Sequence, residues 1–565
     1  MAAVVRTSVV IGLEVHVQLA TRTKMFSRAP SPAGSGAAER PAPNTLVDAV
    51  VLGLPGALPT PNAEAVDQAI RVGLSLGCAI AGGRSDGVTR WDRKSYFYPD
   101  LPKGYQVSQL ALPVCGPGVF ELPAPAAGRT SGGGPVAVDY AAPPRRIRIA
   151  RAHLEEDAGK LLHEAPGGGV IDFSIVDYNR AGTPLLEIVT EPDFRSADEV
   201  VLFCQVLRDL CRFIGASRGV LQRGHMRFEP NVNCVLTLDD GREVRTPIVE
   251  VKNLNSFRAV RGAIEFEARE QPRRWAETGR EHGPGTKETR GWDDRAGVTL
   301  PQRGKEDAQD YRYFPDPDLL PVSISKAMVE RLRNGLPELP LARRARYRGA
   351  WGLNDRDAAA LTAEREESDY FEAAVAAAAA VGVPMERVPK AVAVVLLQSG
   401  AKRREAAAAE SGEGTDGGDD EGGSTGRGGE TARDTGSARL ISSLGVSAQQ
   451  VAEIVALRDR GEVSAAGVDT IFGALTDPAR ANASARAVAG ELGLLLTQDE
   501  GAMDRWADEA IALNPGPAAD VRAGKEAAVG RIVGAAVKLA GGRADAAALR
   551  AKIIARLRPA GSDPQ

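Results

Sequence analysis

The 565-residue chain is 43% hydrophobic and carries 70 Lys and Arg against 74 Asp and Glu, a formal net charge of −4. That length suggests about three or four domains with sizeable cores, and the near-balance of charge excludes a chain built as a whole to be a polycation for nucleic acid. Five scattered cysteines (Cys78, Cys115, Cys204, Cys211, Cys234) with no CxxC pair argue against a disulfide framework and for a reducing compartment. The N-terminal apolar run is broken at Glu14, and no stretch elsewhere is long enough to span a bilayer. The expectation is a soluble cytoplasmic protein with no membrane partner.

Taken in order, residues 9–19 (VVIGLEVHVQL) alternate as a strand does, with Leu13, Val15, Val17 and Leu19 on one face and Glu14, His16 and Gln18 on the other. A single polar row of this kind reads most simply as a solvated outer face; the other reading is the wall of a site. Residues 30–43 are rich in Pro, Gly, Ser and Ala and read as a loop. Asn62 predicts the cap of a helix carrying Val66, Ile70 and Leu74 and stopped by Gly77. Residues 91–106 crowd aromatics and alternating charges around Pro99 and Pro102. They fit either a rigid recognition loop or a structural corner.

A strand expected from Arg145 leads into the most unusual stretch, residues 152–193. It holds Glu155, Glu156, Asp157, Glu164, Asp172, Asp177, Glu187, Glu191 and Asp193 with few cations. The run Leu185–Val189 suits a strand that sets Glu187 on the same face as Leu185 and Val189. A carboxylate in that setting needs a partner or a metal. A salt bridge to Lys160 or Arg180 and a metal or catalytic role are equal readings.

Ser196–Glu199 is a capping box opening a helix with Val200, Phe203, Leu207 and Leu210 inward. Residues 246–252 read as a strand, followed by a helix carrying Phe257, Val260 and Ile264 that Pro272 is expected to end. Residues 288–293 and 310–318 look aromatic, charged and irregular. The chain is thus mixed α and β to about Pro321, and after Ser323 helix formers dominate. Residues 411–437 are Gly-rich and acidic with no large apolar side chain, and are expected to be disordered. Between Asp520 and Arg558 nine cations face three acids, a local charge of +6. A solvated surface and a phosphate-backbone reader both fit that bias, the former slightly better on composition alone.

Several chemistries are absent. There is no GxxxxGK[ST], no GxSxG, no HExxH and no dinucleotide fingerprint. An acid-lined site in a β-rich domain remains, and carboxylate oxygens suit Mg²⁺, which commonly works with phosphates.

Seven runs carry a resemblance: IGLEVHVQL, DRKSYFYPDLPKGYQVSQ, HLEEDAGK, DYNRAGTPLLEIVTEPD, EVKNLNSFRAV, KEDAQDYRYFPDPDLLP and LPELPLARRARY. Together they resemble the GatB family, the B subunits of the glutamyl/aspartyl-tRNA amidotransferases. The resemblance implies an α+β fold: a cradle domain over residues 1–322, a helical domain over 323–495 with an insertion at about 408–437, and a helical tRNA-binding tail over 496–565. It implies ATP-dependent phosphorylation of the side-chain carboxyl of Glu-tRNA(Gln) or Asp-tRNA(Asn), then amidation by ammonia made on an amidase subunit, with a small third subunit holding the heterotrimer together. ATP and Mg²⁺ are the implied cofactors.

By motif match, Glu14, His16, Glu155 and Glu187 are the catalytic candidates, and the same four with Glu156 are the metal candidates. Lys94, Tyr96, Lys103, Asn179, Arg180, Lys252 and Arg312 are candidates for contacts to ATP or the aminoacyl end, and Lys525 and Lys538 for tRNA contacts. Retention of Glu14, His16, Glu155 and Glu187 argues against an assembly protein that kept the fold and lost the chemistry. The lack of a recognisable glutaminase nucleophile argues against a stand-alone ligase.

Three departures matter. Where many family members carry a CxC and a CxxC, this chain has Ser27, Ala29, Asp48 and Val51, so no zinc is expected. The family's usual RCDANVS reads Arg227-Phe228-Glu229-Pro230-Asn231-Val232-Asn233, which keeps an acid at Glu229. In the tail an aromatic position is Arg531.

Overall fold

The computed structural model describes residues 3–34, 41–81, 87–126, 128, 135–164, 169–302, 311–410, 440–497, 499–541 and 543–557. The acidic Gly-rich segment and residues 303–310 lie outside the described residues. The fold is α+β, and the chain divides into two compact units, one running to Ala342 and the other starting at Arg343.

The first unit is built on one ten-stranded sheet. Its strands are β1 (Val4–Gln18), β2 (Cys78–Ile80), β5 (Cys115–Leu122), β6 (Arg145–Glu156), β7 (Pro184–Thr190), β8 (Met226–Leu238), β9 (Glu243–Arg245), β10 (Val249–Lys252), β11 (Glu288–Asp293) and β12 (Val298–Pro301). Between them in the chain, β3 (Asp92–Ser95) and β4 (Tyr105–Ser108) pair in a separate small sheet with Phe314–Pro315. The order across the large sheet is β12-β11-β10-β8-β1-β7-β6-β5-β2, with β9 also on β8. Every pairing is antiparallel except β10 with β11. The longest strand, β1, therefore lies inside the sheet, flanked by β7 and β8.

The apolar positions of β1 that alternation placed together, Leu13, Val15 and Val17, are buried, as are Leu186 and Ile188 of β7 and Leu154 of β6. They form one core with α1 (Ala63–Ser75), α2 (Ala197–Phe213) and α3 (Phe257–Thr278). Burying each large apolar side chain contributes about 1.5–3 kcal/mol. Asn62 caps α1 by accepting from the N–H groups of Glu64 and Ala65. Ser196 caps α2, but Glu199 reaches back to the N–H of Arg195, one residue beyond the expected partner.

Several expectations need correction. Helix α3 does not end at Pro272 but runs to Thr278 and stops at Gly279 in the left-handed region, φ 62°. The carbonyl that Pro272 cannot satisfy, that of Ala268, faces the Cys234 thiol at 3.9 Å. The strand expected from Thr246 begins at Val249: Thr246 bonds Cys234 and Gln271 ahead of Pro247, which has no N–H to give a ladder. Residues 288–293, expected to be irregular, form β11, held by its parallel partner β10. The first unit also continues past the composition change at Ser323, since the helix Lys326–Asn334 packs Leu332 into the sheet's core.

The second unit is helical among the described residues and has two cores. One gathers Tyr347, Phe371, Leu396, Ile454 and Phe472. A helix there passes through a π turn at Val395–Gly400, where a Cβ on Gly400 would come 2.5 Å from Ile441. The other core, from Met503 to Leu557, joins the helices Glu500–Leu513, Pro515–Arg522, Val529–Leu539 and Ala546–Leu557. On Val529–Leu539, Arg531 and Lys538 are exposed and Ile532 and Ala536 are buried. Among the described residues no helix is long and apolar enough to cross a membrane.

Candidate functional site

The register of the sheet assembles the site. Antiparallel pairing puts His16 beside Glu187 on one side and Arg227 on the other, Glu187 beside His153, and Leu185 beside Glu155. Side chains on adjacent strands at the same level share a face. The polar rows of β6, β7, β1, β8 and β10 thus merge into one polar face over a core-packed sheet: His153 and Glu155, Glu187, then Glu14, His16 and Gln18, then Arg227, Glu229 and Asn231, then Glu250 and Lys252.

At its centre His16, Glu155 and Glu187 each offer one ligand atom within 4.8 Å of the other two. His16 Nε2 lies 3.4 Å from Glu187 and 3.8 Å from Glu155. His153 Nε2 lies 3.6 Å from Glu187 and 3.9 Å from Glu155. The two expected salt-bridge partners of Glu187 are elsewhere: Lys160 pairs in register with Asp177, and Arg180 donates to the carbonyls of Ala158 and Gly159. A solvated face is excluded, since Glu155 and His153 are buried and His16 is nearly so.

Burial and charge set the protonation of the cluster. Burial alone would hold His16 neutral. Its hydrogen bond to Glu187 and the charges of Glu187, Glu229 and Glu155 outweigh that and push it up to about 9. Burial, despite the pull of Glu187, pushes His153 down to about 4, so this imidazole is neutral. Burial and then the charge of Glu187 push Glu155 up to about 7. For Glu187 burial acts upward, but His153 and the bond and charge of His16 hold it well below the usual carboxylate range. One strongly ionised carboxylate, with a second carboxylate and an imidazole that become ligands on losing their protons, forms a donor set that can take a divalent cation.

The remaining candidates separate. Glu14 is on the same face but accepts from Asn231 Nδ2 at 3.1 Å and does not join the three-donor cluster. Glu156, expected as a ligand, does not join it either. It follows Glu155 in β6 and so points the other way, ion-paired with Lys103 and accepting from the Val107 amide at 3.0 Å. Lys103 is therefore engaged with the protein. So are Asn179, bonded to Leu46 and Ala42, and Lys252, 2.5 Å from Glu229 and 3.1 Å from Glu250.

Lys94 is placed differently. Its ammonium sits over the rings of Tyr96 and Tyr311, 5.6 and 4.7 Å from their centroids, and its charge bears on Glu155 and Glu187. Arg312 is exposed beside Tyr311, with a positive φ of 45°. In the second unit Lys538 is exposed, and Lys525 is exposed beside Asp520 at 3.1 Å.

Sequence reasoning missed His153, and it missed how Arg227, Asn231 and Glu250 line the face. Alternation within 145–156 puts His153 on the side of Glu155. That signal gains meaning only when β6 is known to lie beside β7.

Comparison with known proteins identifies the family. A family model for the GatB/GatE catalytic domain matches residues 9–330, and a second, for the GatB domain, matches 435–557. A relative from Geotalea daltonii is 39% identical over 97% of this chain and 98% of its own length. One from Thermomicrobium roseum is 38% identical over 96% of each. A third, from Rhodopirellula baltica, is 44% identical over 65% of this chain and 69% of its own length. All three are named as the B subunit of an aspartyl/glutamyl-tRNA(Asn/Gln) amidotransferase. With a catalytic-domain match covering the sheet and relatives similar nearly from end to end, the chain belongs to the GatB family.

Proposed function

We propose that this chain is the component that activates and amidates the amino acid of mischarged Glu-tRNA(Gln), Asp-tRNA(Asn) or both, using ATP. The substrate's side-chain carboxylate attacks the γ-phosphorus of ATP and ADP leaves. Ammonia then adds to the acyl phosphate, inorganic phosphate departs, and the amide remains on the tRNA. The ammonia comes from the glutaminase activity of a partner amidase, and a small third protein holds the heterotrimer together.

The observation that carries this reading is the meeting of His16, Glu155 and Glu187 from three adjacent strands. The substrate supplies its own nucleophile, so the protein needs no activated Ser or Cys; positioning and charge are its tasks. His16, Glu155 and Glu187 would hold Mg²⁺, which when bound neutralises phosphate charge. Lys94, fixed between two tyrosines, supplies a positive charge at the edge of the cluster for an anionic group. His153, neutral through burial, leaves the cluster's negative charge available to a cation. The exposed basic side chains Lys525 and Lys538 would meet the tRNA backbone.

The test combines the chain with its amidase and its small partner protein, ATP, Mg²⁺ and ammonium, then adds charged or uncharged tRNA. ADP release and formation of esterified Gln or Asn only with charged tRNA support the reading. tRNA binding without ADP release from either charged tRNA would leave a binding or assembly role.

A further inference from the structure

The two ring nitrogens of His16 address different carboxylates. Nε2 faces Glu187 and Glu155. Nδ1 is buried, makes no hydrogen bond among the described residues, and lies 3.9 Å from Glu229 Oε1. Glu229 stands opposite Glu14 in the register of β8, next along that face from Arg227, which stands opposite His16.

Glu229 is itself anchored. Its other oxygen is 2.5 Å from Lys252 Nζ. Lys252 is 3.1 Å from Glu250, whose side chain has no exposed surface and also pairs with Lys287 at 2.9 Å. An alternating row, Lys287, Glu250, Lys252, Glu229, His16, therefore crosses the sheet and ends at the three-donor cluster.

We propose that Glu229 is the positioning residue for His16. It accepts the Nδ1 proton, fixes the ring with its Nε2 lone pair toward Glu155 and Glu187, and makes Nε2 a more basic ligand. This rests on the cluster being a cation site. A ligating imidazole presents one nitrogen to the ion and ordinarily gives its other N–H to a carboxylate or carbonyl. Glu229 is the carboxylate on the Nδ1 side, and it stays there rather than becoming a further ligand, because Lys252 holds its second oxygen. The 3.9 Å separation is about 1 Å longer than a formed hydrogen bond. Bonds of this kind often tighten only when a site is loaded.

The test uses the full chain with Mn²⁺ alone, titrated by electron paramagnetic resonance. Glu229→Gln keeps the shape and removes the charge; Glu121→Gln, at an exposed position on β5, controls for net charge. Glu229→Gln is expected to weaken Mn²⁺ binding roughly 10- to 100-fold while Glu121→Gln leaves it unchanged. Equal affinity in Glu229→Gln and the wild type overturns the proposal and leaves the cation site standing. No binding in the wild type overturns both. Should Glu229→Gln fail to fold, the wild type decides through isotope-labelled histidine. In the Mg²⁺-loaded chain the His16 signal, assigned by its loss in His16→Asn, should carry its proton on Nδ1. A proton on Nε2 in that state overturns the proposal.

Discussion

Binding of a divalent cation at the cluster is expected to release about one proton, with an affinity that climbs with pH. The perturbation is the cation itself, added to metal-free protein. His16 sits at about 9 because, against burial, it is bonded to Glu187 and faces three carboxylates. At about pH 7.5 it therefore holds its proton in roughly 97% of molecules. Glu155, at about 7, holds one in roughly a quarter. The cluster titrates as a unit and carries about 1.2 protons that ligation must displace.

The sign follows from linkage. The pKa of His16 is raised above its ordinary 6.5. Its pairing therefore stabilises the metal-free fold fully below that pH and is lost as pH rises through about 9, an effect of about 3 kcal/mol. The proton that stabilises the empty site also blocks Nε2. Affinity is then expected to rise about tenfold per pH unit between about 7 and 9, more steeply where Glu155 is also protonated, and to flatten above about 9. Calorimetry of Mg²⁺ or Mn²⁺ binding in two buffers of different ionisation enthalpy measures the proton release directly. Heats independent of buffer, with an affinity flat from pH 7 to 9, would mean that no proton leaves the cluster on binding.

Three further outcomes are expected. Glu187→Gln removes the charge at the centre of the cluster; it is expected to lower tRNA-dependent ATP hydrolysis by roughly 100-fold or more while a gel-shift assay shows tRNA binding nearly unchanged. Full activity in that variant would remove the cluster from the mechanism. Lys103→Met leaves the buried Glu156 carboxylate without its cation and is expected to destabilise the first unit by about 3–5 kcal/mol in denaturant unfolding. Adding Glu156→Gln should recover much of that loss, and additive effects of the pair would count against the coupling. Lys538→Glu, on an exposed helix face, is expected to weaken tRNA binding in a salt-dependent way and leave cation affinity at the cluster unchanged. An unchanged salt slope would place the tRNA contact elsewhere.

Much of this was legible in one dimension. Alternation alone placed Glu14, His16 and Gln18 on one face of a strand and Glu187 between apolar neighbours, because side chains in a strand point to alternate sides whatever the strand's partners are. Asn62 and Ser196 marked helix starts, since a side-chain oxygen must meet the first free amides. The switch from mixed to helical composition showed where strands end, although the core of the first unit continues into one more helix.

Which strands lie side by side was not legible. His16 and Glu187 are 171 positions apart and become neighbours only through the register of β1 with β7. That pairing turned two unremarkable polar rows into a cluster; β6 beside β7 drew in His153 and β8 beside β1 drew in Glu229, while alternation along β6 turned Glu156 to the opposite face. It also settled the protonation of the site: a histidine at about 9 and another at about 4 differ in their surroundings, not in their chemistry. Local pattern is a property of the chain because it depends on backbone geometry a few residues long. A site assembled across strands depends on long-range packing, and only the tertiary structure decides it.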